Sequence, residues 1–373
     1  MEPLAPNQRP LRYRVDRLIR GLAMRLISGL ASSDAGGEFD PHSPTIKRIL
    51  LVRANFRIGN ALLTLPAVAA FHRNFPDAQI DFVGASICRL LFAHQPLAQI
   101  YETPRRFPQV LWQYINLLRR LRANRYDLAV ELSCSQSGLG AFVVGFSGAR
   151  VRAGCAGKWD QLFDLKVAKL RDANKYRKLT EFLKALRLES IDAVGALKFS
   201  PAELSAGKDL LEASVGQDSI PLVGVFVGGR KLRGKRWPLE NFVEVIRSLA
   251  KNGYRVIAFL GPEEADIAAD LKFTLGSGTA IICEPSLRKF AAAVSHLALF
   301  ICCDSGPMHL ACTVGVPVLA IFQERDVARW APPPNAARIV CAPQVVTATD
   351  VLQAALEELS LKSRQVVGQV FEA

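Results

Sequence analysis

Short strand-length runs, each followed by a turn and a helix-length stretch, constrain this chain more than any other feature. The runs are Ile49–Val52, Gln79–Val83, Tyr126–Leu132, Leu222–Val227, Arg255–Leu260, Ala280–Ile282, Leu297–Cys303 and Val318–Phe322. Most are apolar throughout, as strands buried on both faces are. Helices are predicted at Asn60–Phe71, Val110–Leu121, Lys175–Leu188, 239–251, 265–275, 286–296, Met308–Val314 and Thr349–Ser360. Strands alternating with helices in this order argue for a parallel, doubly wound α/β sheet. A chain of 373 residues exceeds one ordinary domain, so two such units are expected.

One turn stands out chemically. Leu297–Cys303 runs into Asp304-Ser305-Gly306-Pro307-Met308-His309, and the following helix stops at Gly315-Val316-Pro317. Ser305 is a candidate N-cap, and Pro307 suits the first helical position. A helix start offers free N–H groups and partial positive charge, which suits a phosphate. Asp304 would close its strand at the carboxyl edge, where open α/β sheets bind ligands, and His309 would lie in the first turn. The alternative is a capped structural turn with a surface histidine.

A second loop, Gly228-Gly229-Arg230-Lys231-Leu232-Arg233-Gly234-Lys235-Arg236-Trp237-Pro238, carries three glycines and five cations after a strand and before helix 239–251. It can approach and neutralise a diphosphate, or it is a solvated basic loop. The first loop, Arg53-Ala54-Asn55-Phe56-Arg57-Ile58-Gly59-Asn60, has one glycine, so it is not a dinucleotide fingerprint. Gly59 still permits close approach of a ligand to the backbone.

Net charge is +13, which implies an anionic partner. Arginines 105, 106, 119, 120, 122 and 125 occur with no acid between 104 and 125, either as a solvated helix face or to meet an anionic acceptor. No basic platform interleaved with aromatics supports nucleic-acid binding. Eight cysteines show no CxxC spacing and read as small core residues in a reducing compartment. No apolar run reaches the roughly 18 to 20 residues that span a bilayer. Residues 9–25 carry six arginines against Asp16, beside an apolar stripe of Val15, Leu18, Ile19, Leu22, Leu26 and Leu30. Over residues 9–30 this is a helix lying on an anionic membrane face, or one docked on the protein itself. A Gly/Ser/Asp linker, Ser32–Pro44, follows.

Three ordered motifs carry a resemblance: Ile58-Gly59-Asn60-Ala61-Leu62-Leu63-Thr64-Leu65-Pro66, Lys235-Arg236-Trp237-Pro238, and Asp304-Ser305-Gly306-Pro307-Met308-His309-Leu310-Ala311. Phe322–Pro332, with Trp330 before the prolines, is a fourth piece. From about Lys47 to Pro334 the chain resembles glycosyltransferase family 9, the ADP-heptose:lipopolysaccharide heptosyltransferases. The resemblance implies a GT-B fold, with two Rossmann-like doubly wound domains facing a central cleft. The expected division is an arm and linker over 1–46, an acceptor-side domain over 47–205, a nucleotide-sugar domain over 206–346, and a C-terminal helix and tail over 347–373.

It further implies inverting transfer of a sugar, heptose from ADP-heptose, to a lipopolysaccharide or related cell-envelope glycan, with no metal or cofactor. Lys235 would pair with the donor diphosphate. Gly229, Asp304, Ser305, Gly306, Met308 and His309 would line it, and Glu264 would meet the nucleoside. Arg57, Gly59, Asn60, Arg105, Arg106 and Arg120 would face an anionic glycolipid acceptor. The expected protein is a cytoplasmic monomer, peripheral on the inner face of the plasma membrane. One residue departs from the family pattern. Asn60 stands where the family has the Asp that takes the acceptor proton, and an amide has no basic group near neutral pH. Three readings follow: Asn60 positions the acceptor while another carboxylate, Glu131, is the base; transfer is slower and dissociative; or the chain only binds nucleotide-sugar or glycan.

Overall fold

A computed structural model describes residues 43, 45–104, 110–134, 137–217, 220–229, 235–343 and 345–371. The predicted arm, the candidate arginines 105 and 106, and loop residues 230–234 lie outside the described residues. The chain forms two compact units. The first holds the described residues to Arg89, with Gln95–Asp172 and Arg177–Asp192; the second holds Leu90–His94, Ala173–Tyr176 and the described residues from Ala193 on.

Each unit is built on a six-stranded parallel sheet. In the first, β1 (Arg48–Val52), β2 (Gln79–Gly84), β3 (Gln99–Glu102), β4 (Leu128–Glu131), β5 (Val151–Cys155) and β6 (Leu165–Val167) lie in the order β3-β2-β1-β4-β5-β6. In the second, β7 (Leu222–Phe226), β8 (Arg255–Leu260), β9 (Ala280–Cys283), β10 (Leu299–Cys303), β11 (Val318–Gln323) and β12 (Arg338–Ala342) lie in the order β12-β11-β10-β7-β8-β9. Both are the Rossmann order. Each therefore has a switch point at its centre, between β1 and β4 and between β7 and β10, where connections leave in opposite directions and ligands bind at the carboxyl ends. Register puts Val52 beside Glu131 and Ile301 beside Val225.

The central strands are buried on both faces, which is why they read as unbroken apolar runs. Strands away from the centre carry weaker apolar signals. In β5, Arg152 is buried because Asp164 meets its guanidinium at 2.9 Å, and Gly154 leaves room for the Phe163 ring, 2.4 Å from where a Cβ would sit. A charge and a glycine thus hide a strand from a reading by hydrophobicity. β12 is half-exposed at the sheet edge, with Arg338 reaching Glu357 and Glu358.

Three helices differ from expectation. The predicted Asn60–Phe71 helix is two helices, Ile58–Leu62 and Leu65–Asn74, because Pro66 lacks an N–H and Thr64 Oγ1 donates back to the Ala61 carbonyl at 2.6 Å. Helix Pro201–Val215, unanticipated by the strand–helix count, belongs to the second unit, so a boundary after 205 falls inside it. Gly207 lets it lie on helix Leu287–Val294, whose backbone at Ala292 is 2.5 Å from a would-be Cβ. The closing helix runs Ala348–Phe371, and Val351, Ala355 and Leu359 bury it in the core of the second sheet. It is part of that unit.

Candidate functional site

At the second unit's switch point, β7 leads into Gly228-Gly229 and β10 into Asp304. Gly229 is buried, and a Cβ there would stand 2.7 Å from the Lys235 carbonyl and 2.9 Å from the Arg236 Cα. Only glycine lets the two ends of the basic loop close together. Lys235 Nζ binds Asp304 Oδ2 and lies 3.2 Å from Asp326 Oδ2, and all three side chains are largely buried. Asp326 sits in helix Glu324–Trp330, directly after β11. Sequence reasoning passed over it, although an acid just beyond a strand's carboxyl end was the available signal.

Ser305 holds the N-cap position in extended backbone, but its hydroxyl donates to the Cys303 carbonyl at 3.0 Å instead of capping. Among the described residues, Ser305 does not cap helix Gly306–Val314, so the first-turn N–H groups are suited to an anion. Met308 is fully buried and contributes packing. His309, expected at the opening, is also buried: its Nδ1 meets the Tyr176 hydroxyl at 2.6 Å and its ring packs edge-on to Trp330. Burial, with Lys235 nearby, lowers its pKa to about 4, so the imidazole is neutral at neutral pH. Burial pushes the Tyr176 phenol up, which keeps it protonated.

Glu264 follows β8. Its Oε1 accepts from the Gly229 N–H at 3.4 Å and lies 3.7 Å from Arg236 Nη2. Gly228 and Gly261 make space for this carboxylate, which is 2.7 and 2.8 Å from their would-be Cβ positions. Burial raises its pKa against the opposing Gly229 N–H and Arg236 charge. Arg236 Nε and Nη2 are buried without a hydrogen-bond partner among the described residues. Buried donors of this kind are suited to a ligand, and Arg236 is a second group the sequence reading did not assign.

In the first unit, β1 leads into Arg53 and β4 ends at Glu131. Arg53 is buried; Nη1 donates to the Leu132 carbonyl and Nη2 to Asn60 Oδ1, both at 3.1 Å. Asn60 Nδ2 donates to Asn55 Oδ1 at 3.1 Å. Glu131, the alternative base, is buried: its Oε1 accepts from the Ser133 N–H at 3.1 Å and Oε2 from the Ser133 hydroxyl at 2.6 Å. Helix Gly138–Gly145 presses on it, with Oε1 2.5 Å from a would-be Gly140 Cβ. Burial raises its pKa against the Ser133 hydrogen bonds and the Arg53 charge, and burial lowers that of Arg53. The carboxylate is thus engaged in internal bonds with Ser133. Arg57 is exposed and Gly59 half-buried; Arg120 is exposed, with its guanidinium 5.0 Å over the Tyr101 ring.

Among the described residues, no three or more His, Cys, Asp and Glu side chains are grouped to hold a metal, and no helix is long and apolar enough to cross a membrane.

Two Rossmann-ordered sheets in one chain, each with its switch point at the centre, are the plan of the GT-B fold. Residues 114–359 match the sequence profile of glycosyltransferase family 9 (heptosyltransferase). The chain is 27% identical over 289 residues to lipopolysaccharide heptosyltransferase 3 of Escherichia coli, covering 74% of this chain and 83% of that protein. Among solved structures, a family 9 glycosyl transferase from Veillonella parvula superposes with a TM-score of 0.74 at 17% identity, over 86% of this chain and 99% of that one. The E. coli ADP-heptose lps heptosyltransferase II superposes with a TM-score of 0.69 at 20% identity, over 85% and 99%. The chain belongs to glycosyltransferase family 9 and is a glycosyltransferase of the heptosyltransferase type.

Proposed function

We propose that the chain transfers heptose from ADP-heptose to a lipopolysaccharide-type acceptor, by a single inverting displacement that needs no metal. The observation that carries this reading is Lys235, held at the β7–β10 switch point beside an uncapped helix start. The acceptor oxygen bonds to the anomeric carbon, the bond from that carbon to the diphosphate breaks, and its electron pair leaves with ADP. Lys235 and the first-turn N–H groups then stabilise the charge that develops on the leaving diphosphate. Glu264 is suited to accept from a nucleoside hydroxyl, with Arg236 beside it.

Neither acceptor-side candidate fits as a base: Asn60 is an amide, and Glu131 is buried and bonded to Ser133. We therefore favour a loose transition state driven by leaving-group stabilisation, with the acceptor proton passing to solvent. The relatives' names support the donor and acceptor: one is a lipopolysaccharide heptosyltransferase, another an ADP-heptose lps heptosyltransferase. Contact with the inner face of the plasma membrane, through residues 9–30, belongs to the same proposal.

The test is nucleotide release with ADP-, GDP- and UDP-activated sugars and an inner-core acceptor, with the product weighed by mass spectrometry. ADP release and a heptose mass increment are expected. Donor binding by calorimetry with no turnover would leave a nucleotide-sugar-binding protein in place of a transferase.

A further inference from the structure

The first unit's switch point holds a chain of hydrogen bonds whose direction is set by its ends. A guanidinium only donates, so Arg53 Nη2, at 3.1 Å, turns the Asn60 oxygen toward itself. That places Nδ2 toward Asn55, whose Oδ1 accepts it at 3.1 Å. The same Oδ1 accepts from the Arg57 backbone N–H at 3.0 Å, another donor-only group, so the Asn55 amide is fixed too. Arg53 is anchored by its second bond, Nη1 to the Leu132 carbonyl beyond β4. The Arg53–Asn60 bond is buried, whereas the Asn60–Asn55 bond is only part-buried, so the amide's N–H edge is its more open side. Asn55 uses one of the two N–H bonds. The other points Asn60's chemistry toward donation.

The geometry points to Arg53 as a positioning residue that makes Asn60 a hydrogen-bond donor to an oxygen of the acceptor. This rests on the reading above that a glycan acceptor binds at the first unit. A carboxylate here would draw the acceptor's O–H toward itself. A donor instead holds the acceptor by lone pairs, on a ring, hydroxyl or anionic oxygen beside the reacting group. The buried cation behind the amide polarises it and strengthens the N–H as a donor. Position 60 thus selects how the acceptor is oriented and takes no proton.

Steady-state kinetics on wild type, Arg53→Lys, Asn60→Ala and the double variant test this, with ADP-heptose and inner-core acceptor. Each single change should raise the acceptor KM about tenfold, the effect of one lost hydrogen bond in a desolvated site. The double variant should be no worse than either, because both remove one interaction. The donor KM should not move. In ligand-free protein, the Asn60 side-chain amide signal, assigned by its absence in Asn60→Ala, should shift in nitrogen-15 spectra of Arg53→Lys; in wild type it should shift when acceptor alone is added.

Additive losses, or an Asn60 signal unmoved in Arg53→Lys, overturn the proposal. So does an unchanged acceptor KM in Asn60→Ala, which keeps the test alive should Arg53→Lys fail to fold. If wild type transfers no heptose at all, the functional reading fails, and the amide signal with and without acceptor still decides the role of Arg53.

Discussion

Asp326 Oδ2 lies 3.2 Å from Lys235 Nζ, and Asp304 holds the same ammonium from the end of β10. One cation is thus shared by two carboxylates. Lys235→Ala should weaken donor binding by roughly 1.5 to 3 kcal/mol, the worth of a charge-assisted contact. Asp326→Asn should act in the opposite direction. It removes a negative charge that competes for the lysine and repels the diphosphate, worth roughly 1 kcal/mol in a partly solvated site. Donor titration by calorimetry checks both signs. Equal affinity in wild type and Lys235→Ala would mean that Lys235 does not meet the donor.

His309 makes stability depend on pH. Its pKa falls from 6.5 to about 4 on folding, mainly through burial. The unfolded chain therefore takes up the proton first. The stabilisation is complete above about pH 6.5 and is lost as the pH drops toward 4, in total on the order of 3 kcal/mol. Melting temperatures of wild type should fall between pH 6.5 and 5, and His309→Gln should flatten that slope. Parallel slopes would show that His309 is not the titrating group.

A second group acts at lower pH. Glu203 binds the Arg288 guanidinium, with Oε2 2.8 Å from Nη2, and also accepts from the Ser200 N–H at 2.8 Å. The Arg288 bond, ahead of the other causes, holds its pKa near about 2. This stabilisation is present above the ordinary carboxylate range and is lost only as the pH falls through that range toward 2. Arg288 also donates to the carbonyls of Leu90, Leu91 and Lys198. Arg288→Ala should cost about 3 to 5 kcal/mol, because three carbonyls lose their donor and Glu203 loses its guanidinium together. Chemical denaturation measures it, and a loss under 1 kcal/mol would contradict the hub.

These groups show what could be read in advance. Runs such as Leu299–Cys303 declare themselves because both faces are buried, and Lys235 and Asp304 could be picked out because each sits in a short motif at a strand's end. Arg288, Arg152 and Arg53 could not. Each is a buried arginine whose partners lie far off in sequence or in a loop, and a lone arginine in a string of letters looks like surface. His309 failed for the same reason in reverse: Tyr176, 133 positions away, draws it inward. Asp326 lay inside a recognised segment, but its role depends on where Lys235 comes to rest.

Residues 9–30 carry the expectation of an interfacial helix, argued from their sequence. Full-length protein should float with anionic liposomes at low salt, and more weakly as salt screens the arginines. Deleting residues 1–44 should abolish flotation and leave the melting temperature of the two units unchanged. Equal flotation of the truncated protein would remove the arm from the membrane contact.

Asn60→Asp tests the chemistry most directly. A carboxylate at 60 would face Arg53, whose guanidinium now lies 3.1 Å from the side-chain oxygen. That contact favours the ionised form, so the new group should titrate below the ordinary carboxylate range and be ready as a base at neutral pH. Its other oxygen would meet Asn55 Oδ1, so Asn55 must turn its amide and give up the Arg57 N–H. The acceptor KM should therefore rise, while kcat rises by up to about 100-fold, the low end of general-base help. Glu131→Gln should behave differently. Its carboxylate serves Ser133 and has no free face, so the change should lower the melting temperature and leave the shape of the pH–rate profile intact. Rate against pH for wild type and both variants decides between these outcomes. An acid limb in wild type that vanishes in Glu131→Gln would make Glu131 the base after all.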